Sequence, residues 1–267
     1  MITRKVSARE TVILCDSPAD FARAAAGADR DDNESWTGST RGTAVDKCIR
    51  GDETLVPEAE SLLRKLETEI AVPHADWTPA PCGAYAIVPE YLVGHPDCMR
   101  RRRITADETT PIRVYVDLTS SGGVQHDKLT KRGIGFLALI MALIQQRPVE
   151  ASAVIALGYG QSGVVVIPLP TRPLDTAVAC GVLTDGAVTR TLGYGLLHEK
   201  TKAGGGWYKS VHPHDLGRDE YINNLRAALA CDPADIFIGP MYLDDPLVDD
   251  PVGFIRRMLA AGNSEGV

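Results

Sequence analysis

Pro111-Ile112-Arg113-Val114-Tyr115-Val116-Asp117-Leu118-Thr119-Ser120-Ser121-Gly122-Gly123 is the stretch whose reading decides the fold. Residues 112–116 are rich in β-branched and aromatic side chains and predict a strand. From Asp117, oxygen-bearing side chains recur at every second position: Asp117, Thr119, Ser121. A carboxylate and two hydroxyls are hard ligands of the kind Mg²⁺ or Mn²⁺ accepts. Placed where a strand ends, with two glycines loosening the turn, they can converge on one point. Beyond the turn, Leu129 to Gln146 is the most strongly apolar helical stretch of the chain. A strand, a polar crest and a buried helix make half of a doubly wound α/β unit, whose ligand crevice lies at the carboxyl ends of its strands.

With 267 residues, the chain is long enough to bury a large core. Its 44% hydrophobic and 24% charged residues are ordinary globular composition. A formal net charge of -7 argues against wholesale binding to a phosphate backbone but leaves room for a local basic patch. No apolar run approaches the roughly 18 residues of a membrane span. Met1-Ile2-Thr3-Arg4-Lys5 has no apolar segment behind it of the sort a secretion signal needs. The six cysteines, Cys15, Cys48, Cys82, Cys98, Cys180 and Cys231, are scattered and form no Cys-x-x-Cys pair. Reduced thiols and a cytoplasmic location are therefore expected, with no membrane partner.

The N-terminal part, residues 1–103, reads as mainly helical. Thr11 to Cys15 predicts a short strand, and Asp16-Ser17-Pro18 a helix start. A helical region runs through Arg50, Gly51 breaks it, and Val56 to Ile70 resumes with apolar residues at helical spacing. Residues 71–103 are rich in proline and glycine, which excludes long helices. Within them, Gly83 to Met99 predicts a short strand and one helical turn. Arg100, Arg101, Arg102 and Arg103 then form a basic run, read either as an exposed edge strand that resists aggregation or as a binding patch. If that strand pairs with residues 112–116, Asp107-Glu108-Thr109-Thr110 is the turn between them.

Residues 104–267 form the α/β part. Val149–Ala156 and Gly163–Pro168 predict a hairpin around residues 158–163. Leu174 to Glu199 predicts two helices broken near Asp185-Gly186. His212-Pro213-His214 reads as a solvated loop, because no further ligand stands at a metal-binding spacing from it. Tyr221 to Leu229 is a helix, residues 235–242 the last strand, and residues 251–261 a terminal helix.

From residue 112 onward the predicted order is strand, helix, strand, strand, two or three helices, strand, helix. Opened by Asp117-x-Thr119-x-Ser121, that order resembles a von Willebrand factor A-type domain. The resemblance implies a Rossmann-type sheet flanked by helices and a metal-ion-dependent adhesion site, to which Asp-x-Ser-x-Ser gives the first ligands. Asp117, Thr119 and Ser121 match, with threonine in place of the first serine. An aspartate after the fourth strand completes the family's set, and here it would be Asp244 or Asp245. The threonine that the family draws from a later loop has no counterpart that can be placed. Thr184-Asp185-Gly186 imitates another of its motifs but falls in sequence read as helical. Trp36-Thr37-Gly38, the segment ending Gly94-His95-Pro96-Asp97-Cys98-Met99, and Lys131-Arg132-Gly133 are narrower signals. Together they resemble poorly characterised proteins of bacteriophages and mobile elements, which carry no established activity.

Three functions are then in play. The first is a non-enzymatic module in which the crest and a bound Mg²⁺ or Mn²⁺ capture an acidic group of a protein partner. The second is a nucleic-acid-associated protein in which Arg100 to Arg103, Lys128, Lys131 and Arg132 contact the phosphates of RNA or DNA. The third is a metal-assisted hydrolase, which has only one carboxylate local to the crest. No Gly-x-Ser-x-Gly elbow and no Gly-x-x-x-x-Gly-Lys loop follows a strand, so neither a serine nucleophile nor a nucleotide cofactor is expected.

Overall fold

The structure, a computed structural model, describes residues 1–5, 10–27, 33–67, 77–82, 85–102, 111–157, 162–201 and 218–263. Strands β1 (Ile2–Lys5) and β2 (Glu10–Leu14) come first, then helices α1 (Pro18–Ala25), α2 (Glu34–Thr37), α3 (Arg41–Arg50) and α4 (Val56–Glu67). A small unit follows: β3 (Trp77–Ala80), β4 (Tyr85–Ala86), α5 (Val88–Leu92) and β5 (Met99–Arg102). Next are β6 (Ile112–Asp117), α6 (His126–Gln146), β7 (Val149–Leu157), β8 (Ser162–Pro168) and α7 (Thr176–Thr184). A π-helical segment (Val188–Gly193) runs into α8 (Tyr194–Thr201). Last come α9 (Arg218–Leu229), β9 (Ile236–Ile238), α10 (Pro246–Asp249) and α11 (Pro251–Asn263).

The main sheet is mixed, in the order β1-β2-β8-β7-β6-β9. β6 lies inside it, parallel to β7 on one side and to β9 on the other. A parallel neighbour requires a long crossover, and α6 supplies it between β6 and β7. β7 and β8 are antiparallel, as a hairpin requires, although its tip at residues 158–161 lies outside the described residues. β2 adds itself parallel to β8. The N-terminal part thus gives two strands to the same sheet, and one apolar core runs across residue 104. In it Phe21, Cys48 and Leu66 are buried in the same cluster as Val114, Leu137 and Ile140.

Strand alternation assigns the two faces of the sheet. Val114, Val116, Ala153, Ile155, Val165 and Ile167 face that large core. Val154, Ala156, Val164 and Val166 face a smaller one closed by Tyr221, Leu225 and Ala228 of α9. Tyr115 stacks on Phe237 on this second side, with ring centroids 6.3 Å apart. Asp117, two residues on, is directed the same way.

Local chemistry sets several helix ends. Ser17 caps α1 by accepting from the Asp20 amide, and Pro18 stands in its first turn, where a missing N–H costs nothing. α6 crosses α7 at Gly133, where an added Cβ would lie 2.2 Å from the Leu183 carbonyl oxygen, so only glycine permits this approach.

The structure corrects the pairing expected for the arginine run. β5 does not join β6; it is the central strand of a separate three-stranded sheet, β3-β5-β4. β3 pairs along all of β5, and β4 pairs with Met99 and Arg100. Of the two edge strands, β3 carries Pro79, a residue that removes one ladder donor and suits an edge strand. Arg103 and the supposed turn at residues 107–110 lie outside the described residues.

Candidate functional site at the carboxyl ends of β6 and β9

From β6 the chain crosses through α6 to β7, whereas β9 arrives later on the opposite side of β6. The carboxyl ends of β6 and β9 therefore border a topological switch point, the usual ligand crevice of an α/β sheet. Here the loops after both strands zip together. The Met241 amide donates to the Thr119 carbonyl at 2.9 Å, and the Ser121 amide donates to the Met241 carbonyl at 3.2 Å.

The crest side chains are drawn into the protein. Asp117 is 0% exposed. One carboxylate oxygen accepts from the Thr119 amide at 2.8 Å, the other from the Tyr221 hydroxyl at 2.9 Å. Burial pushes the Asp117 carboxyl up to about 6, against the pull of these bonds and of nearby Arg132. Burial likewise raises the Tyr221 hydroxyl well above the ordinary tyrosine value. Thr119 Oγ1 accepts from the Ala156 amide at 3.0 Å, tying the crest to β7. Ser121 is half-buried and Asp244 is exposed.

Two arginines hold the loops. Arg132 is 3% exposed. It donates to the Asp117 carbonyl at 2.6 Å and to the Gly239 carbonyl, and it forms an ion pair with Asp245 at 2.8 Å. Side chains in a helix's first turns lean toward its N-terminus, which takes Arg132 back to the strand ends. Asp245 in turn caps α10 by accepting from the Leu247 amide at 2.9 Å. Arg190, buried in the π-helical segment, donates to the Val124 and Trp36 carbonyls and to Ser120 Oγ at 3.3 Å. Its guanidinium lies 4.3 Å from the centre of the Trp36 ring. Burial lowers Arg190 to about 10, so it stays charged at neutral pH.

The N-terminal segment straps this frame. Trp36 donates its indole N–H to the Gly122 carbonyl at 3.0 Å. Gly38, at φ +87, turns the chain against His126. Ser39 donates to Asp185, at 2.8 Å from each carboxylate oxygen, and Lys47 pairs with the same Asp185 at 3.1 Å. Asp185, of the Thr184-Asp185-Gly186 triplet, is thus a buried anchor between the two halves of the chain. Trp36-Thr37-Gly38 and Lys131-Arg132-Gly133, far apart in sequence, meet around one set of loops.

This donor set does not fit a divalent ion. Asp117 and Thr119 are committed to bonds on the α9 side and to β7, and Asp245 is neutralised by Arg132. Among the described residues no three His, Cys, Asp or Glu side chains group as a metal site. An ion drawn to Asp245 would have to displace the Arg132 guanidinium already paired with it. We expect that millimolar Mg²⁺ or Mn²⁺ leaves the melting temperature where EDTA leaves it. Binding at about 100 times Kd would add about 2.7 kcal/mol of stability, so a rise of several degrees that Asp117→Ala removes would reverse this conclusion.

The proposed basic patch divides. Arg132 is buried and bonded, so it presents nothing to a phosphate, which corrects its assignment above. Lys131 is exposed, and Lys128 donates to the Leu243 carbonyl at 3.0 Å. Arg100, Arg101 and Arg102 belong to the small sheet, while His212 and His214 lie outside the described residues. Ser120, Arg190 and Tyr221 were not anticipated as members of the crest. Arg190 had one signal, a lone cation inside an apolar helical stretch with no acidic residue one turn away; Tyr221 had none. All six cysteines are unpaired. No helix among the described residues is long and apolar enough to cross a membrane.

The fold and site define an α/β protein whose switch point is closed by a network of buried arginines and carboxylates. The family model described as Domain of unknown function (DUF7192) matches residues 4–256. The chain belongs to that family. No curated protein and no solved structure matches it.

Proposed function

We propose that the chain is a non-enzymatic protein-binding module of the von Willebrand factor A type, which takes an acidic partner group at the rim of its crest. The type is supported by Asp117-x-Thr119-x-Ser121 at the end of β6, by the α6 crossover and by the antiparallel β7–β8 pair. The non-enzymatic reading is supported by how the crest groups are used. Asp117, Thr119, Arg132, Arg190 and Asp245 each hold a backbone group or another crest side chain, which is the work of a frame.

The observation that carries the proposal is Leu243, 63% exposed in the loop after β9. Lys128 grips its carbonyl, and Asp245, two residues on, is fixed by Arg132. A rigid loop thus presents one apolar side chain next to the end of α6. There Lys128 and Lys131, three residues apart, share a helix face. An apolar anchor flanked by lysines suits an acidic, partly apolar peptide. The cation that the resemblance assigns to a metal is supplied in this reading by side chains. The resemblance to bacteriophage and mobile-element proteins makes the host cytoplasm the proposed setting.

Selection of a random peptide library on the protein is the test. Enriched sequences are expected to carry Asp or Glu next to an apolar residue and to be lost with the double variant Leu243→Asp, Lys131→Glu. The same sequences enriched on both proteins would remove the proposal.

A further inference from the structure

The small sheet carries a feature the crest does not explain. Its three strands read Trp-Thr-Pro-Ala, Tyr-Ala and Met-Arg-Arg-Arg, with three arginines and no carboxylate, in a chain of net charge -7. The register sets Trp77 opposite Arg102, and Pro79 and Tyr85 on either side of Arg100. Residues directly opposite in an antiparallel pair share a face, and so do positions two apart along a strand. Trp77, Tyr85, Arg100 and Arg102 therefore occupy one face. Thr78, Ala80, Ala86, Met99 and Arg101 occupy the other. Strands β4 and β5 are joined through α5, where Tyr91 is 64% exposed and no residue is buried. The Ile87 amide donates to the Cys98 carbonyl at 2.7 Å, which fixes α5 to the base of β5.

We propose that this face binds single-stranded nucleic acid, RNA or DNA, independently of the crest. Aromatic residues alternating with arginines across a sheet supply the two things an unpaired strand needs. Flat rings accept bases, whose faces are free only when the strand is unpaired, and cations accept the phosphates between them. A duplex hides its base faces and gains only the charge term. The two arginines on this face fix the scale. Release of counterions from about two phosphates of a single strand gives a log affinity against log salt slope of about -1.4. This surface needs no overall positive charge, because its cations are gathered on one strand.

The test is titration with fluorescent dT20 and U20 oligonucleotides and with a duplex of the dT20 sequence, at ~50 mM salt, where non-specific attraction is strong. Both single strands are expected to bind in preference to the duplex. Trp77→Ala is expected to weaken them roughly ten-fold, as loss of one stacking partner does, while Trp77→Phe, which keeps a ring, recovers most of the affinity. Arg100→Gln with Arg102→Gln is expected to lower both the affinity and the salt slope, and Lys200→Gln, which removes a cation elsewhere, to change neither. Circular dichroism melts establish that each variant is folded. No binding at that salt overturns the proposal. So does equal affinity for duplex and single strand, or failure of Trp77→Phe to restore what Trp77→Ala loses. Because Leu243 and Lys131 play no part here, the peptide selection and this titration fail separately.

Discussion

Arg190→Ala is expected to cost on the order of 3–5 kcal/mol, a large share of the roughly 5–15 kcal/mol that ordinarily holds a domain folded. The substitution strips the bonds to the Val124 and Trp36 carbonyls and to Ser120 Oγ, and it removes the cation under the Trp36 ring. Two carbonyls are left without their donor inside the protein, and a cavity the size of a large side chain opens between α2 and the crest loop. Arg190→Lys keeps the charge but replaces a planar fork with a single point, which cannot face carbonyls on two segments while stacking on an indole. We expect it to recover less than half of the loss. Trp36→Phe tests the strap alone: it keeps an aromatic face over the guanidinium and gives up the bond to Gly122, so a loss of about 1 kcal/mol is expected. Chemical denaturation of the three variants ranks them. An Arg190→Ala protein within 1 kcal/mol of the parent would show that the arginine bridges nothing of consequence.

Most of the frame was legible because it is written locally. A β-branched run at 112–116, a turn with two glycines and an apolar helix gave β6, the crest and α6. Ser17-Pro18 marked the start of α1, and Gly51, at φ +85, marked the end of α3. Strand β1 was missed because its four residues, Ile-Thr-Arg-Lys, hold no apolar alternation. Strand β3 was missed because Pro79 argues against a strand unless it is known to lie at an edge. The pairing of β5 was misread because neighbours in sequence are the natural partners and nothing local says otherwise. Asp117 does stand at the end of β6, but the wiring of the crest was not legible. A carboxylate that binds a metal and one that accepts from a tyrosine on a distant helix look the same in sequence. The same holds for an arginine that meets solvent and one that ties two strand ends together. These distinctions depend on which side of the sheet α9 covers, a tertiary fact.

Asp117→Asn is the variant that separates these alternatives by sign. In the folded protein the Asp117 carboxyl is held at about 6 by burial, and unfolding returns it to the ordinary carboxyl value of 3.8. Between those values the folded state binds a proton that the unfolded state has released. Stability therefore falls as pH rises from about 4 to about 6, and the whole loss is present above that. A shift of about two units corresponds to roughly 3 kcal/mol. Other carboxylates work in the opposite direction. Asp20 is held low by the Asp16 amide bond, and Asp52 is held low by Thr54 and Lys47 despite its partial burial. The total profile mixes both signs, so the informative quantity is the difference between parent and variant. Asparagine mimics the neutral acid: its oxygen can still accept from the Thr119 amide, and its amide can donate to the Tyr221 hydroxyl. Relative to the parent, Asp117→Asn is expected to gain about 3 kcal/mol as pH is raised from 4 to 7, read from urea midpoints at each pH. Tyr221→Phe, which removes the donor to the carboxylate, is expected to steepen the fall of the parent curve. Parallel curves for parent and Asp117→Asn would mean that the carboxylate is fully compensated when ionised. A carboxylate that served as a metal ligand would show a further mark, a parent curve that depends on EDTA above pH 6, and none is expected here.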